Sequence, residues 1–209
     1  MQGAFGNITP PKEFLPAVAS LAREFDALLI ADEMITGFGR TGRYWGVDHT
    51  GVKPDIVTIG KQFGGGLPVS GVIAEDGIAR AEPWSKPSGS SSSYGGNPLA
   101  CAVARAALGV LRDDNLAERS ARLGAKFLAD LQTIRHPEIK EIRGRGLLIG
   151  IELTTAARPF CERLMQLGLL CKETHSTVIR LAPPLIISEE DLARAMKGLA
   201  TEERLIVEG

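Results

Sequence analysis

Two residues in the first third of the chain have side chains that could do covalent chemistry together. Asp32 closes the apolar run ALLIAD (27–32), and Lys61 directly follows PDIVTIG (54–60). A short apolar run ending in a polar residue predicts a buried parallel strand whose C-terminal end carries a functional group. Two such strands would deliver a carboxylate and an amine to the same edge of a sheet. A lysine beside an apolar wall and glycine-rich backbone has its charged form disfavoured, which makes it a nucleophile toward aldehydes. A buried aspartate facing a heteroaromatic nitrogen would keep that nitrogen protonated. Spacing alone leaves a plainer reading open, an Asp–Lys pair that caps strand ends.

Few other residues compete for chemistry. Cys101, Cys161 and Cys171 make no CxxC pair and no metal-ligand spacing, and are expected to be buried or half-buried thiols. His49, His136 and His175 are too far apart in sequence for a clustered zinc site. Gly64, Gly65 and Gly66 are not followed by Lys–Ser/Thr, so they are no P-loop; they are expected to give backbone clearance after Lys61. A formal net charge of -1 without a basic patch takes nucleic acid out of the expected partners. No apolar run reaches the roughly 18 to 20 residues that span a bilayer. MQGAFGNITPP has neither the charged nor the apolar region of a signal peptide, and an odd cysteine count without one suits a reducing cytoplasm.

The elements that must position Asp32 and Lys61 follow from periodicity. A hydrophobic fraction of 44% over 209 residues supports a packed core, in one large domain or two small ones. Pro10 and Pro11 precede Phe14, Val18, Leu21 and Phe25, whose spacing predicts an amphipathic helix over 11–25. ALLIAD is a first strand, TGFGRTGR a loop, PDIVTIG a second strand, and GGGLPVSGVIA a glycine loop and a third strand near 69–74. SKPSGSSSSYGGNP (85–98) has the composition of a linker, but Asn97 can cap a helix and Pro98 fits its first turn. Helices are then expected to about Leu111 and over 115–133. Beyond Ile139 come the short strands IKEIRGRG, LLIGIEL, GLLCKE and VIRLAPPL, with helices at about 158–167 and 188–206. The alternation predicts an α/β fold in two parts, residues 1–112 and a smaller domain at 113–209.

LLIADEMITGFGRTGRYWGVDH, VKPDIVTIGK, GGGLPVSGVIA, SYGGNPLACAVA and RGRGLLIGIEL together resemble motifs of the class III aminotransferases, which use pyridoxal 5'-phosphate (PLP) on fold type I. They cover nearly the whole chain, in that family's order. The resemblance implies a partial fold type I large domain, carrying the later strands of its central sheet, followed by a small α/β domain. It implies that Asp32 pairs with the pyridinium nitrogen of PLP. It also implies that Lys61 binds the cofactor's aldehyde and then shuttles a proton between the substrate Cα and C4′. It further implies that Ser93, where the family usually has threonine, reaches across a homodimer interface to the partner's PLP phosphate. Ile35 stands where members often carry a glutamine that contacts the cofactor. Glu33 is open between a loop-anchoring and a cofactor role.

The stretch from ARPFCERLMQ to SEEDL looks most like the ornithine aminotransferases. In that resemblance Arg180 grips a carboxylate of the substrate or of a 2-oxo acid acceptor, as a planar guanidinium does bidentately. Arg143 and Arg145 are expected to stabilise a loop. The implied activity is transamination of a terminal amine, with acetylornithine, 4-aminobutyrate and ω-amino acids as alternative donors. Members of the family are about twice as long, and the resemblance implies that their phosphate loop and ring-stacking aromatic precede the segment matched by MQGAFG. A non-catalytic chain that associates with an intact homologue is the competing expectation.

Overall fold

The computed structural model describes the backbone of residues 1–207 and the side chains of residues 1–200. It divides into two compact units. The first comprises Pro11–Phe38 and Tyr44–Asn115; the second comprises Met1–Pro10, Gly39–Arg43 and Leu116–Gly209.

The first unit begins with helix α1 (Phe14–Glu24) and strand β1 (Ile30–Asp32). A 3₁₀ turn at Val47–Thr50 leads to β2 (Ile56–Ile59), and a second at Lys61–Gly64 leads to β3 (Gly71–Ala74). A single-turn helix α2 (Asp76–Ala79) and the long helix α3 (Pro98–Asp113) complete it. The sheet order is β1-β2-β3. β1 and β2 are parallel, with Asp32 paired to Thr58, whereas β3 returns antiparallel with Gly71 paired to Ile59. α3 starts where the sequence predicts: the Asn97 side chain accepts a hydrogen bond from Ala100 N at 2.9 Å, with proline in the first turn.

Burial in this unit departs from expectation. ALLIAD is not a buried strand: Leu28 and Ile30 are 57% and 58% exposed. Phe14, Leu21 and Phe25 of the α1 stripe are also exposed, and Ala19 is the residue of α1 that is buried. The physical reason lies in the small sheet. β1 is an edge strand with one neighbour, and a three-stranded layer has too few partners to cover both of its faces. The apolar content of the run is real, but among the described residues nothing in this unit covers it.

The second unit is well packed. Helix α4 (Leu116–Leu131) buries Leu116, Ser120, Leu123, Gly124, Phe127 and Leu131, one continuous helical face. It precedes β4 (Ile139–Arg145) and β5 (Leu148–Leu153), then α5 (Arg158–Gln166), β6 (Lys172–Thr174), β7 (Val178–Leu181) and α6 (Glu189–Val207). The sheet order is β4-β5-β7-β6, antiparallel throughout. Ile149, Ile151 and Leu153 of β5 and Ile179 and Leu181 of β7 share one core with Leu123, Phe127, Leu131 and Leu164. Each such side chain, fully buried, contributes about 1.5–3 kcal/mol. The alternate residues, Gly150 and Glu152 of β5 and Val178 and Arg180 of β7, belong to the opposite face. Met1–Pro10 lies on that face: Thr174 Oγ1 donates to Ala4 O at 2.6 Å, and Arg143 donates to Gly6 O through Nε at 3.0 Å and Nη2 at 2.9 Å.

Among the described residues no helix is long and apolar enough to cross a membrane.

Candidate functional site

Asp32 and Lys61 emerge from adjacent parallel strands. Asp32 is the last residue of β1, and Lys61 lies two residues past the end of β2. Both are exposed, so the expectation of a buried carboxylate and a buried amine is not met. For Asp32 the cause is the open edge of β1 described above; Lys61 follows the central strand β2 and lies beyond its end. The backbone at Lys61 is special instead. Its φ is 48°, in the left-handed region, where a side chain other than glycine costs roughly 1–2 kcal/mol. The residue before it is closely packed: a Cβ on Gly60 would lie 2.5 Å from Met34 Cε, so the methionine side chain would have to move.

Local hydrogen bonds hold this arrangement. Asp32 Oδ1 accepts from Met34 N at 3.0 Å, an Asx-type turn that bends the chain out of β1. Gln62 Nε2 donates to Ile35 O at 3.1 Å and to Gly37 O at 2.7 Å. Gln62 thus ties the turn that carries Lys61 to the loop that follows Asp32. Motif reading passed over this residue, because both of its partners are backbone carbonyls in a distant segment and no residue type advertises them. Ile35 takes part through its carbonyl. Gly65, with φ 56°, sits where a Cβ would meet Ala107 at 3.1 Å and Val103 at 3.2 Å on α3, so the clearance expected after Lys61 is real there.

The structure decides the role left open for Glu33. Its carboxylate is 2% exposed. Oε2 accepts from Gly46 N at 2.9 Å and Thr36 Oγ1 at 2.5 Å, and Oε1 accepts from Val47 N at 2.8 Å. With both oxygens engaged, Glu33 anchors the loop between β1 and the first 3₁₀ turn. Phe38 within that loop is stacked on Phe63 with centroids 5.4 Å apart and edge-on to Trp45 at 4.9 Å.

Ser93 lies in the same unit but is exposed in the loop before α3, and no hydrogen bond joins it to Asp32 or Lys61. Arg180 belongs to the second unit, on β7, paired to Gly150 on one side and Lys172 on the other. It is half-buried, and among the described residues its guanidinium has no hydrogen-bond or ion-pair partner. Arg143 differs: it pairs with Glu152 and Glu141 while holding Gly6. Burial works against its charge, and the hydrogen bonds it donates to Glu152 and Glu141 outweigh that, so its pKa is raised. Arg143 is therefore a loop clamp, as its motif suggests. Gly146 of the same RGRG run is required sterically, since its φ is 55° and a Cβ would lie 2.5 Å from Thr41 C.

An amine and a carboxylate on neighbouring strand ends, both open to solvent, fit an aldehyde-bearing heteroaromatic cofactor. The amine can bond the aldehyde carbon, and the carboxylate can hold a protonated ring nitrogen. An unpaired, half-buried guanidinium fits a carboxylate.

Comparison with known proteins gives these features a context. The class-III aminotransferase model matches residues 1–201. Ornithine aminotransferase of Bacillus subtilis is 52% identical over 200 residues, which are 95% of this chain and 49% of that protein. The chain therefore spans about half the length of the curated relatives it matches. Among solved structures, an ornithine aminotransferase from Toxoplasma gondii is 39% identical with a TM-score of 0.93, over 100% of this chain and 50% of that one. Crystallised in the presence of oxidised glutathione, it has partial occupancy of PLP at its active site. An acetylornithine aminotransferase from Elizabethkingia anophelis is 40% identical with a TM-score of 0.90, over 97% of this chain and 52% of that one.

Proposed function

The chain belongs to the class-III aminotransferase family, and on that premise we propose that it supplies the lysine-bearing half of a PLP-dependent transaminase acting on a terminal amine, ornithine foremost. The observation that carries the proposal is the left-handed backbone of Lys61 at the mouth of β2, next to the strand end that carries Asp32. Strain of this kind persists where surrounding structure over-determines it, and it collects at active sites.

When bound, PLP supplies an electron sink that accepts negative charge from the substrate Cα. Asp32 keeps the proton on the ring nitrogen. Lys61 Nζ would hold the cofactor at its aldehyde and, once freed, would serve as the base that carries the substrate's Cα proton. Glu33 and Gln62 hold these two residues in register through the intervening loop. Ser93 donates its hydroxyl to the cofactor phosphate of the partner subunit in a homodimer. Arg180 binds a carboxylate of the donor or of the 2-oxo acid acceptor. Residues 1–112 form part of the PLP-binding domain and residues 113–209 the small domain, in a protein of the reducing cytoplasm. Relatives named ornithine aminotransferase at about half identity support ornithine as donor over N-acetylornithine or 4-aminobutyrate.

The exposed Leu28, Ile30 and Val72 favour one second reading, a non-catalytic chain that buries this face against an intact homologue. A donor screen separates the two, using the purified protein with PLP and 2-oxoglutarate. Ornithine is expected to be consumed fastest. Faster consumption of N-acetylornithine or 4-aminobutyrate overturns the substrate assignment. No turnover of any donor, with stable association to a full-length relative, establishes the second reading instead.

A further inference from the structure

Asn7 is completely buried, at 0% exposure, and neither its Oδ1 nor its Nδ2 has a hydrogen-bond partner among the described residues. A buried polar group left unmade costs about 1–3 kcal/mol, so an orphaned carboxamide calls for a partner. Its backbone is left-handed, with φ 56°, a conformation that asparagine tolerates better than most residues.

The surroundings identify the partner. Asn7 lies over Gly150 of β5: a Cβ built on Gly150 would sit 3.3 Å from Asn7 Cβ and 3.1 Å from Gly6 O. A side chain on Gly150 would press on the Gly6–Asn7 segment and on Val178 at 3.2 Å. In the sheet Gly150 is paired to Arg143 on β4 and to Arg180 on β7. Residues paired in this way project from the same face, with Cβ positions about 4.5–5.5 Å apart. Asn7 is thus flanked by two arginines. Arg143 is spent on Glu141, Glu152 and Gly6 O. Arg180 has five N–H donors and no acceptor. The unpartnered carboxamide lies over Gly150, and the unpartnered guanidinium is carried by the residue paired to Gly150 on β7.

We propose that Asn7 is a positioning residue for Arg180: its Oδ1 accepts from one guanidinium N–H and holds the fork over Gly150, so that the outer N–H pair meets a substrate carboxylate. This rests on the reading of Arg180 as the carboxylate-binding residue and deepens it. The carboxamide never touches the substrate, which agrees with its complete burial. It leaves two N–H groups of the guanidinium in the planar arrangement that carboxylates match. It also removes rotamer freedom from a long side chain before the ligand arrives.

The test is equilibrium binding of glutarate, an unreactive dicarboxylate, measured by calorimetry on the wild-type chain and on Asn7→Gly, Asn7→Asp, Arg180→Met and the Asn7→Gly/Arg180→Met pair. Glycine keeps the left-handed backbone, so Asn7→Gly adds no backbone strain; urea midpoints measured alongside report the cost of the emptied space. Asn7→Gly is expected to weaken glutarate binding roughly tenfold. Asn7→Asp is expected to weaken it further, because its charge occupies Arg180. On the Arg180→Met background Asn7→Gly is expected to change nothing, since it acts only through that arginine. Equal losses from Asn7→Gly on both backgrounds overturn the proposal, as does wild-type affinity in Asn7→Gly when Arg180→Met has lost binding. Wild-type affinity in Arg180→Met, or no binding by the wild-type chain, overturns the Arg180 reading beneath it.

Discussion

Replacing Glu33 by glutamine should loosen the loop after Asp32 while leaving its volume unchanged. Three donors converge on the carboxylate: Gly46 N at 2.9 Å, Val47 N at 2.8 Å and Thr36 Oγ1 at 2.5 Å. Hydrogen bonds to a charged acceptor contribute about 1.5–3 kcal/mol each. Glutamine keeps one oxygen and turns the other into an amide NH₂, which then faces a backbone N–H, donor to donor. At least one bond is lost outright, and the bonds that remain lose their charge assistance. The expected cost is about 3–4 kcal/mol. With a urea dependence of about 2 kcal/mol per M, the midpoint falls by roughly 1.5–2 M. Trp45 is the probe, because it adjoins Gly46 and packs edge-on against Phe38 with centroids 4.9 Å apart. Its fluorescence in a urea titration should report the shift. Thr36→Val is the control: it removes the hydroxyl donor alone and should cost about 1.5–3 kcal/mol, less than Glu33→Gln. A Glu33→Gln midpoint within about 0.3 M of wild type, outside which such shifts are resolved, would refute the view that this carboxylate anchors the loop.

Lys61→Gly should raise stability by about 1 kcal/mol, because glycine adopts a φ of 48° without strain, while Lys61→Ala should leave it nearly unchanged; urea midpoints of both variants check this. Asn97→Ala should cost about 1 kcal/mol by removing the cap on Ala100 N, visible as a lower denaturation midpoint in the helical circular-dichroism signal. Burial pushes the Cys171 thiol up to about 12, with Cys161 beside it adding to the shift. The folded state then holds a proton that the unfolded thiol releases near its ordinary value of 9.0, so stability is complete below that pH and is lost as pH rises toward 12. Thermal melts from pH 8 to 11 should show this alkaline loss in the wild type and less of it in Cys171→Ala.

Local signals carried most of the element positions. Asn97–Pro98 marks the start of α3 because cap and first-turn chemistry are both local. The stripe from Leu116 to Leu131 marks α4 because a helical face repeats within the segment. LLIGIEL and VIRL became β5 and β7, since their apolar residues could be buried by the same unit. ALLIAD was misleading about burial for the complementary reason: an apolar run states what could be covered, and the cover belongs to other residues. Asp32 and Lys61 could be singled out because strand ends are visible as changes of composition. Gln62 and Asn7 could not. Gln62 bonds carbonyls 25 and 27 positions away, and Asn7 matters through Gly150 on a strand far along the chain. Glu33 stood open until Gly46 N and Val47 N, 13 and 14 positions on, were seen to fold back onto it.

The claim that Lys61 is the residue that binds the cofactor is tested most directly by incubating the protein with PLP, fixing the bound cofactor with borohydride and mapping the modified peptide by mass spectrometry. The modification is expected on Lys61 and should be lost in Lys61→Ala. Modification of another exposed lysine, such as Lys53 or Lys86, with Lys61 left untouched would contradict it.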